Sequence, residues 1–345
     1  MLSTKNEIDR MRPREKHNMA LSLREKCGKE FFQKHNTEFI DVVCPACGLE
    51  GKNSFNKNGF YHKTCKNCST IWCSPRPTEP LLNDYYSSSE ATKYWTSLLV
   101  QTDNDRKILQ YAPRVQLLVD FLKSDLEFNP SFAVDLGAGS GAFALALSKT
   151  KYFKNILAVD FDEDCCNVCR NSGLETKKGS IEVLDHNTAS LITINDMLEH
   201  LFDPKAFLIQ CYEALEPNGY LSIACPNGEG FDFKIMKENT VSITPPEHLN
   251  YFNPYSITLL LESIGFKVSS LETPGILDVQ IVERAFKLGQ IQLNENEYIR
   301  SLISNNDNSV LVSLQEFLRL NKLSSHMVAV AKKIQPITSA STTLC

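Results

Sequence analysis

The 345-residue sequence predicts an α/β fold, a largely parallel sheet with helices on both faces. A small cysteine-bearing unit precedes it and a helical insert interrupts it near the C-terminal end. Three observations predict this. From residue 131 onward, short apolar runs alternate with helix-like segments, the pattern of a sheet covered on both sides. One such run leads into "VDLGAGSGAF", a strand, a glycine-rich turn and a helix start. Two C-x-x-C pairs stand upstream, in a stretch too short to build a core of its own.

Composition sets the outer bounds. The 42% hydrophobic and 22% charged content are ordinary for a globular chain of two or three units. Thirty-six Lys plus Arg against 41 Asp plus Glu leave a net charge of −5, which gives no bulk attraction to nucleic acid or anionic membrane. No apolar run approaches the ~20 residues that span a bilayer. The opening "MLSTKNEIDRMRPREKHNMALSLREK" mixes charge signs without an apolar stretch, so no export signal is expected. With twelve cysteines and no such signal, metal ligation and buried thiols in a reducing cytoplasm are expected over disulfides.

Taken in order, residues 1–40 read as a charged helical extension and 41–80 as the cysteine unit, closed by "SPRPTEP". Residues 81–130 read as a helical linker or lid. There "RKILQYAPRVQLLVDFLKS" puts Ile108, Leu109, Val115, Leu118, Val119 and Leu122 near one face, with Pro113 as an interruption. Residues 131–335 form the main domain. "SFAVDL", "NILAVDF", "ASLITINDML" and "YLSIACPN" are its strands, each followed or preceded by a helix. "SITLLLESIGFKVSSLE" adds a helix and a strand, 275–325 a mostly helical insert, and "HMVAVAKK" a late strand. Residues 336–345, rich in Ser and Thr, read as a loose tail.

Cys44 and Cys47, then Cys65 and Cys68, are two knuckles separated by 17 residues whose turn formers suit a hairpin. Four thiolates so arranged complete a closed tetrahedral zinc site, structural in role because no position is left open. His62 and Cys73 are near enough to substitute as ligands, but the paired cysteines are the simpler set. The later pair, Cys166 and Cys169, reads as small apolar residues on a helix face.

The glycine turn admits two cofactors. Gly137, Gly139 and Ala142 satisfy the dinucleotide fingerprint, while Gly137, Gly139 and Gly141 make the G-x-G-x-G turn that holds S-adenosylmethionine. Charge separates them. Asp135, two residues before the first glycine, would repel a pyrophosphate at a helix N-terminus but welcomes an ammonium and a sulfonium. Asp160, at the end of the next strand, can accept hydrogen bonds from ribose hydroxyls in either case, and Phe161 beside it can pack on adenine.

On these residues the chain resembles the class I S-adenosylmethionine-dependent methyltransferases. "VDLGAGSGAF" is similar to their first motif, "AVDFD" to their second-strand acid, "ITINDMLEHLFDP" to their fourth-strand segment and "ALEPNGYLSIACPN" to the turn into the fifth. "PPEHLNYFNPYSITLLLESIGF", with the N-terminal four-cysteine unit, resembles a bacterial subgroup acting on sugars and small metabolites. The resemblance covers roughly 41–270 and implies a Rossmann-like, seven-stranded sheet. It also implies that Asp135, Gly137, Gly139 and Gly141 hold the donor's methionine end, and that Asp160 takes the ribose. Ser180 stands where the family often has an adenine-contacting Asp, and Asn195 lines the transfer pocket. It implies Glu247 and His248 as a Glu-His base pair.

Methyl transfer needs alignment and sometimes proton removal, for which histidine suits. Besides His248, Glu199 and His200 in "LEHLFDP" begin the segment after the fourth strand and are weighed evenly between helix packing and substrate contact. Tyr85 and Tyr86 are placed as a lid or as packing. The expected acceptor is a nucleotide-linked or surface-polysaccharide sugar. A zinc-ribbon RNA methyltransferase is the first alternative, yet residues 1–90 hold 14 Lys plus Arg against 11 Asp plus Glu, too few for a phosphate-tracking surface. A non-catalytic S-adenosylmethionine binder is the second.

Overall fold

Seven strands form one sheet in a computed structural model that describes residues 10, 13–294, 296–305 and 308–334. The tail expected at 336–345 and most of residues 1–12 lie outside the described residues. The strands are β4 (Phe132–Leu136), β5 (Asn155–Asp160), β6 (Glu175–Lys178), β7 (Ala189–Asn195), β8 (Leu215–Pro226), β10 (Phe266–Glu272) and β11 (His326–Lys333). Their spatial order is β10-β11-β8-β7-β4-β5-β6. β8, β7, β4, β5 and β6 run parallel, and β11 is antiparallel to both its neighbours. β4 and β7 are buried along nearly their whole length, as expected for parallel strands covered on two faces. The chain winds outward from β4 through β5 to β6, then returns to the other side of β4 for β7. That reversal opens a crevice at the carboxyl ends of β4 and β7, where such sheets bind ligands.

The edge strand β6 was not expected, and its sequence, ETKK, explains why. It is half-buried to exposed throughout and carries no apolar alternation. The helix Ala112–Lys123 buries Val115, Leu118, Val119 and Leu122 as expected, but Ile108 is 65% exposed. A π-helical turn at Lys107–Tyr111 precedes Pro113. Its extra residue shifts the helical phase by about 100° and turns Ile108 outward.

The cysteine unit is a meander of β1 (Gly51–Lys57), β2 (Phe60–Cys65) and β3 (Ile71–Cys73). β1 and β2 meet at Asn58-Gly59, both at positive φ, which the two-residue hairpin turn requires. A fourth strand, β9 (Asn250–Tyr251), comes from the main domain, in the loop after β8, and pairs with β3, Ile71 opposite Tyr251 and Trp72 opposite Asn250. Trp72, fully buried, belongs to the same core as β4, β7 and β8. Arg76, 1% exposed, donates to the carbonyls of Cys73 and Phe202 and to the Asn250 side chain. Asn253 donates to the Cys68 carbonyl at 2.8 Å. The unit and the loop 245–253 are therefore one construction.

The helix Arg14–His35 crosses this loop. At Gly28 a Cβ would lie 2.6 Å from the Pro245 carbonyl oxygen, so only glycine permits the approach. One turn away, Arg24 pairs with Glu247 at 2.8 Å, both nearly buried, and its guanidinium lies over the Trp95 ring at 4.2 Å. The helices Asp278–Lys287, Glu297–Ile303 and Asn308–Leu320 make the expected insert. They pack on Phe231 and Met236 of the short helix after β8. Among the described residues, no helix is long and apolar enough to cross a membrane.

Two outcomes follow for stability. Arg24→Ala strands a buried Glu247 carboxylate and should cost about 3–5 kcal/mol in urea unfolding, with Arg24→Lys recovering only part. His62, 0% exposed and stacked on Phe55, has both ring nitrogens without a hydrogen-bond partner among the described residues, and burial pulls its pKa down to about 3. The unfolded imidazole takes its proton near pH 6.5, so acid favours unfolding. His62→Leu should gain on the native chain by about 1.4 kcal/mol per pH unit as pH falls below about 6.5, measured as the difference between two unfolding curves.

Candidate functional site

The crevice has two ends. At one, the glycine turn follows β4 with Gly137, Gly139 and Gly141 all at positive φ. A Cβ at Gly139 would meet nothing within 4 Å, so its missing side chain leaves open space for a ligand. A Cβ at Gly141 would strike Leu174 and Cys169 at 2.8 and 2.9 Å, so that glycine serves the packing of the turn on the neighbouring helix. Asp135, 2% exposed, accepts hydrogen bonds on Oδ1 from Thr193 at 2.7 Å and Asn195 at 3.3 Å. Burial raises its pKa to about 7 against those donors. A cationic ligand would restore the charge that burial disfavours, whereas a pyrophosphate would aggravate the penalty.

Asp160 closes the turn from the next strand. Its Oδ2 accepts from the Gly139 amide at 2.8 Å and its Oδ1 from the Asp162 amide at 2.9 Å. Each oxygen retains a lone pair, so the carboxylate can brace the turn and still accept from a diol. Phe161 is 60% exposed beside it, and Ser180, just past β6, holds its amide on Glu182 at 2.8 Å.

At the other end, five residues past Asn195, lies a cluster built from two loops. Ligand-capable atoms of Glu199, His200 and His248 lie within 4.8 Å of one another. The His200 and His248 rings are perpendicular, with centroids 4.5 Å apart. His248 donates from Nδ1 to the Ser242 carbonyl at 2.7 Å. Tyr86 donates to the Glu247 carbonyl at 3.0 Å, so its hydroxyl oxygen accepts from His200 Nδ1 at 2.9 Å. Both rings thus carry the proton on Nδ1 and keep the Nε2 lone pair available. Burial, reinforced by the Arg24 charge, pulls His200 down to about 4. Burial and the neighbouring His200 hold His248 far below the ordinary histidine range. Glu199 is 1% exposed, its Oε2 has no hydrogen-bond partner among the described residues, and burial pushes its pKa well up.

Tyr86 links the two ends. Its ring meets Phe161 edge-on at 6.3 Å while its hydroxyl holds His200. Tyr85 reaches Glu247 at 3.4 Å. The carboxylate beside the imidazoles is therefore that of Glu199. Glu247, expected to partner His248, is committed to Arg24 and Tyr85.

The four cysteines converge. Cys44 and Cys68 sulfurs lie 3.5 Å apart, Cys47 and Cys65 3.4 Å, and Cys47 and Cys68 3.7 Å. A tetrahedral zinc–thiolate site has edges of about 3.8 Å, close to these separations. His62 and Cys73 are buried elsewhere, His62 against Phe55 and Cys73 toward the Pro75 carbonyl. Cys166 and Cys169 are buried on their helix, with sulfurs 3.3 Å from the carbonyls of Asp160 and Gly139.

Arg24 was missed by sequence reasoning. Its partner is more than two hundred positions away, and nothing in a charged N-terminal helix marks one arginine as buried. Glu199 was visible as a residue of "LEHLFDP", but its isolation from hydrogen-bond partners is a tertiary property.

Residues 106–271 match the family model of a methyltransferase domain. The mitochondrial ubiquinone biosynthesis O-methyltransferase of Saccharomyces cerevisiae is 29% identical over 152 residues, 39% of this chain and 49% of that protein. The ubiquinone biosynthesis O-methyltransferase of Xanthomonas oryzae is 27% identical over 165 residues, 44% of this chain and 65% of that one. The chain thus spans about half the length of the yeast relative. A solved SAM-dependent methyltransferase from Archaeoglobus fulgidus aligns with a TM-score of 0.45 at 19% identity, over 64% of this chain and 92% of that one. The matched segment, just under half of this chain, contains the glycine turn and both loops of the histidine cluster.

Proposed function

We propose that the chain transfers a methyl group from S-adenosylmethionine to a hydroxyl oxygen of a small molecule, with the Glu199–His200–His248 cluster at the acceptor end. The observation that carries this reading is one continuous connection across the crevice. Asn195 bonds Asp135 at the donor turn, and the chain it belongs to reaches His200 five residues later. Tyr86 spans the same distance from above, from Phe161 to His200.

S-adenosylmethionine, when bound, supplies a methyl carbon already activated by a positive sulfur. The chain's own residues then have limited tasks. Asp135 and the turn Gly137–Gly139–Gly141 receive the amino-acid end, Asp160 the ribose hydroxyls, and Phe161 and Ser180 flank the adenine. Asn195 lines the transfer pocket. Tyr85 and Tyr86 exclude water over the cleft. His248, held by the Ser242 carbonyl, keeps its Nε2 lone pair for the acceptor end, where the hydroxyl must shed its proton. Glu247 keeps the His248 loop anchored through Arg24.

Oxygen as the acceptor atom rests on the two relatives named O-methyltransferases. The sugar implied by the sequence resemblance carries hydroxyls, but those names belong to ubiquinone biosynthesis, so phenolic and sugar acceptors belong in one panel. Zinc held by Cys44, Cys47, Cys65 and Cys68 is part of the same proposal. Its role is to close the meander that carries β3, in a cytosolic protein.

Isothermal titration should detect S-adenosylmethionine binding, weakened at least about tenfold in Asp135→Asn, some 1.4 kcal/mol. No binding by the native chain overturns the reading. With labelled donor and a panel of nucleotide sugars and phenols, His248→Ala should lower kcat by about 100-fold or more while donor affinity stays within about twofold. Undiminished turnover removes His248 from the acceptor end.

A further inference from the structure

We infer that Glu199, His200 and His248 form a binding site for a divalent transition-metal cation, separate from the four-cysteine cluster and different in chemistry. Two imidazoles and one carboxylate, all within 4.8 Å, are a donor set for zinc, iron or cobalt that leaves at least one coordination position open. The cysteine set, by contrast, is closed.

Three features beyond the proximity point to a cation. The Oε2 atom of Glu199 is buried without a hydrogen-bond partner, in a chain whose other buried carboxylates at this crevice, Asp135 and Asp160, are held by donors. Both imidazoles are oriented through Nδ1, His248 by the Ser242 carbonyl and His200 by the Tyr86 hydroxyl. Such outer hydrogen bonds fix the tautomer that offers Nε2 to a metal. Finally, Arg24, whose charge reaches both imidazoles, is itself paired with Glu247 at 2.8 Å, which offsets part of its opposition to a bound cation.

The inference deepens the proposed function and rests on it in one respect, the identity of the open position as the place of the acceptor oxygen. A hydroxyl bound there gives its proton to water more readily than a free one. The oxygen then forms its bond to the methyl carbon as the carbon–sulfur bond breaks, and the sulfur leaves as a neutral thioether. The histidines act as ligands in this scheme, and His248 reaches the acceptor through the cation.

The test reads metal, without donor or acceptor, so it stands apart from any failure of methyl transfer. The full chain is stripped with a chelator under reducing conditions and titrated with cobalt(II), following metal content and absorption. Two equivalents are expected, one with intense thiolate charge-transfer absorption and one with only weak visible bands. Glu199→Gln and, separately, His248→Asn should keep the thiolate signal and weaken the second equivalent at least tenfold. Glu199→Gln preserves shape, and the retained thiolate signal reports a folded cysteine unit. A native chain that takes only the thiolate-bound equivalent, or variants that bind the second ion unchanged, would overturn the site.

Discussion

The pairing of β3 with β9 is the constraint on which the site depends. It makes a two-residue strand from the loop after β8 the fourth member of the cysteine sheet. An isolated two-residue strand has no stability of its own, so the meander must be in place for the loop bearing Glu247 and His248 to be ordered. Arg76 reinforces the pairing from within. Its buried guanidinium draws together Cys73, Asn250 and Phe202, and Asn250 in turn holds the Leu201 carbonyl at 2.8 Å. The loop carrying Glu199 and His200 and the loop carrying His248 are thereby fixed against each other. A unit that reads in sequence as an N-terminal appendage is a support for the histidine cluster.

The two ends of the crevice are built on different principles. The glycine-turn end is local: strand, glycine turn and helix are contiguous, and its one distant acid, Asp160, ends the adjacent parallel strand. Its polar groups are mutually satisfied, Asp135 by Thr193 and Asn195, Asp160 by two backbone amides. The histidine end is assembled from four separated segments and, among the described residues, leaves Glu199 Oε2 without a hydrogen-bond partner. Buried polar groups left open in this way are where a fold departs from its own stability rules for the sake of chemistry.

The same contrast decides what was legible in the sequence. The parallel sheet, the glycine turn, Asp135, Asp160 and the cysteine knuckles all lie in short windows whose spacing carries their geometry. Strand β6 escaped because an exposed edge strand has no apolar rhythm, and Ile108 was misplaced because a π turn breaks the period on which the reading relied. β9 is two residues inside "PPEHLNYF", shorter than any pattern. The partnership of Glu247 was misread for a related reason. A Glu-His dipeptide suggests that the two side chains cooperate, but these neighbours close a turn, both amides on the Thr244 carbonyl, and there one side chain meets Arg24 and the other Ser242 and His200.

In the function proposed above, the glycine turn and the histidine cluster are the two ends of one methyl-transfer site. A crystal structure of the full chain with S-adenosylhomocysteine tests it most directly. Ribose hydroxyls are expected on Asp160, the amino-acid end along Gly137–Gly141, and the sulfur facing the crevice between Asn195 and the His200–His248 pair. A ligand lodged away from the glycine turn, or a sulfur turned from the histidines with no path between them, would contradict it.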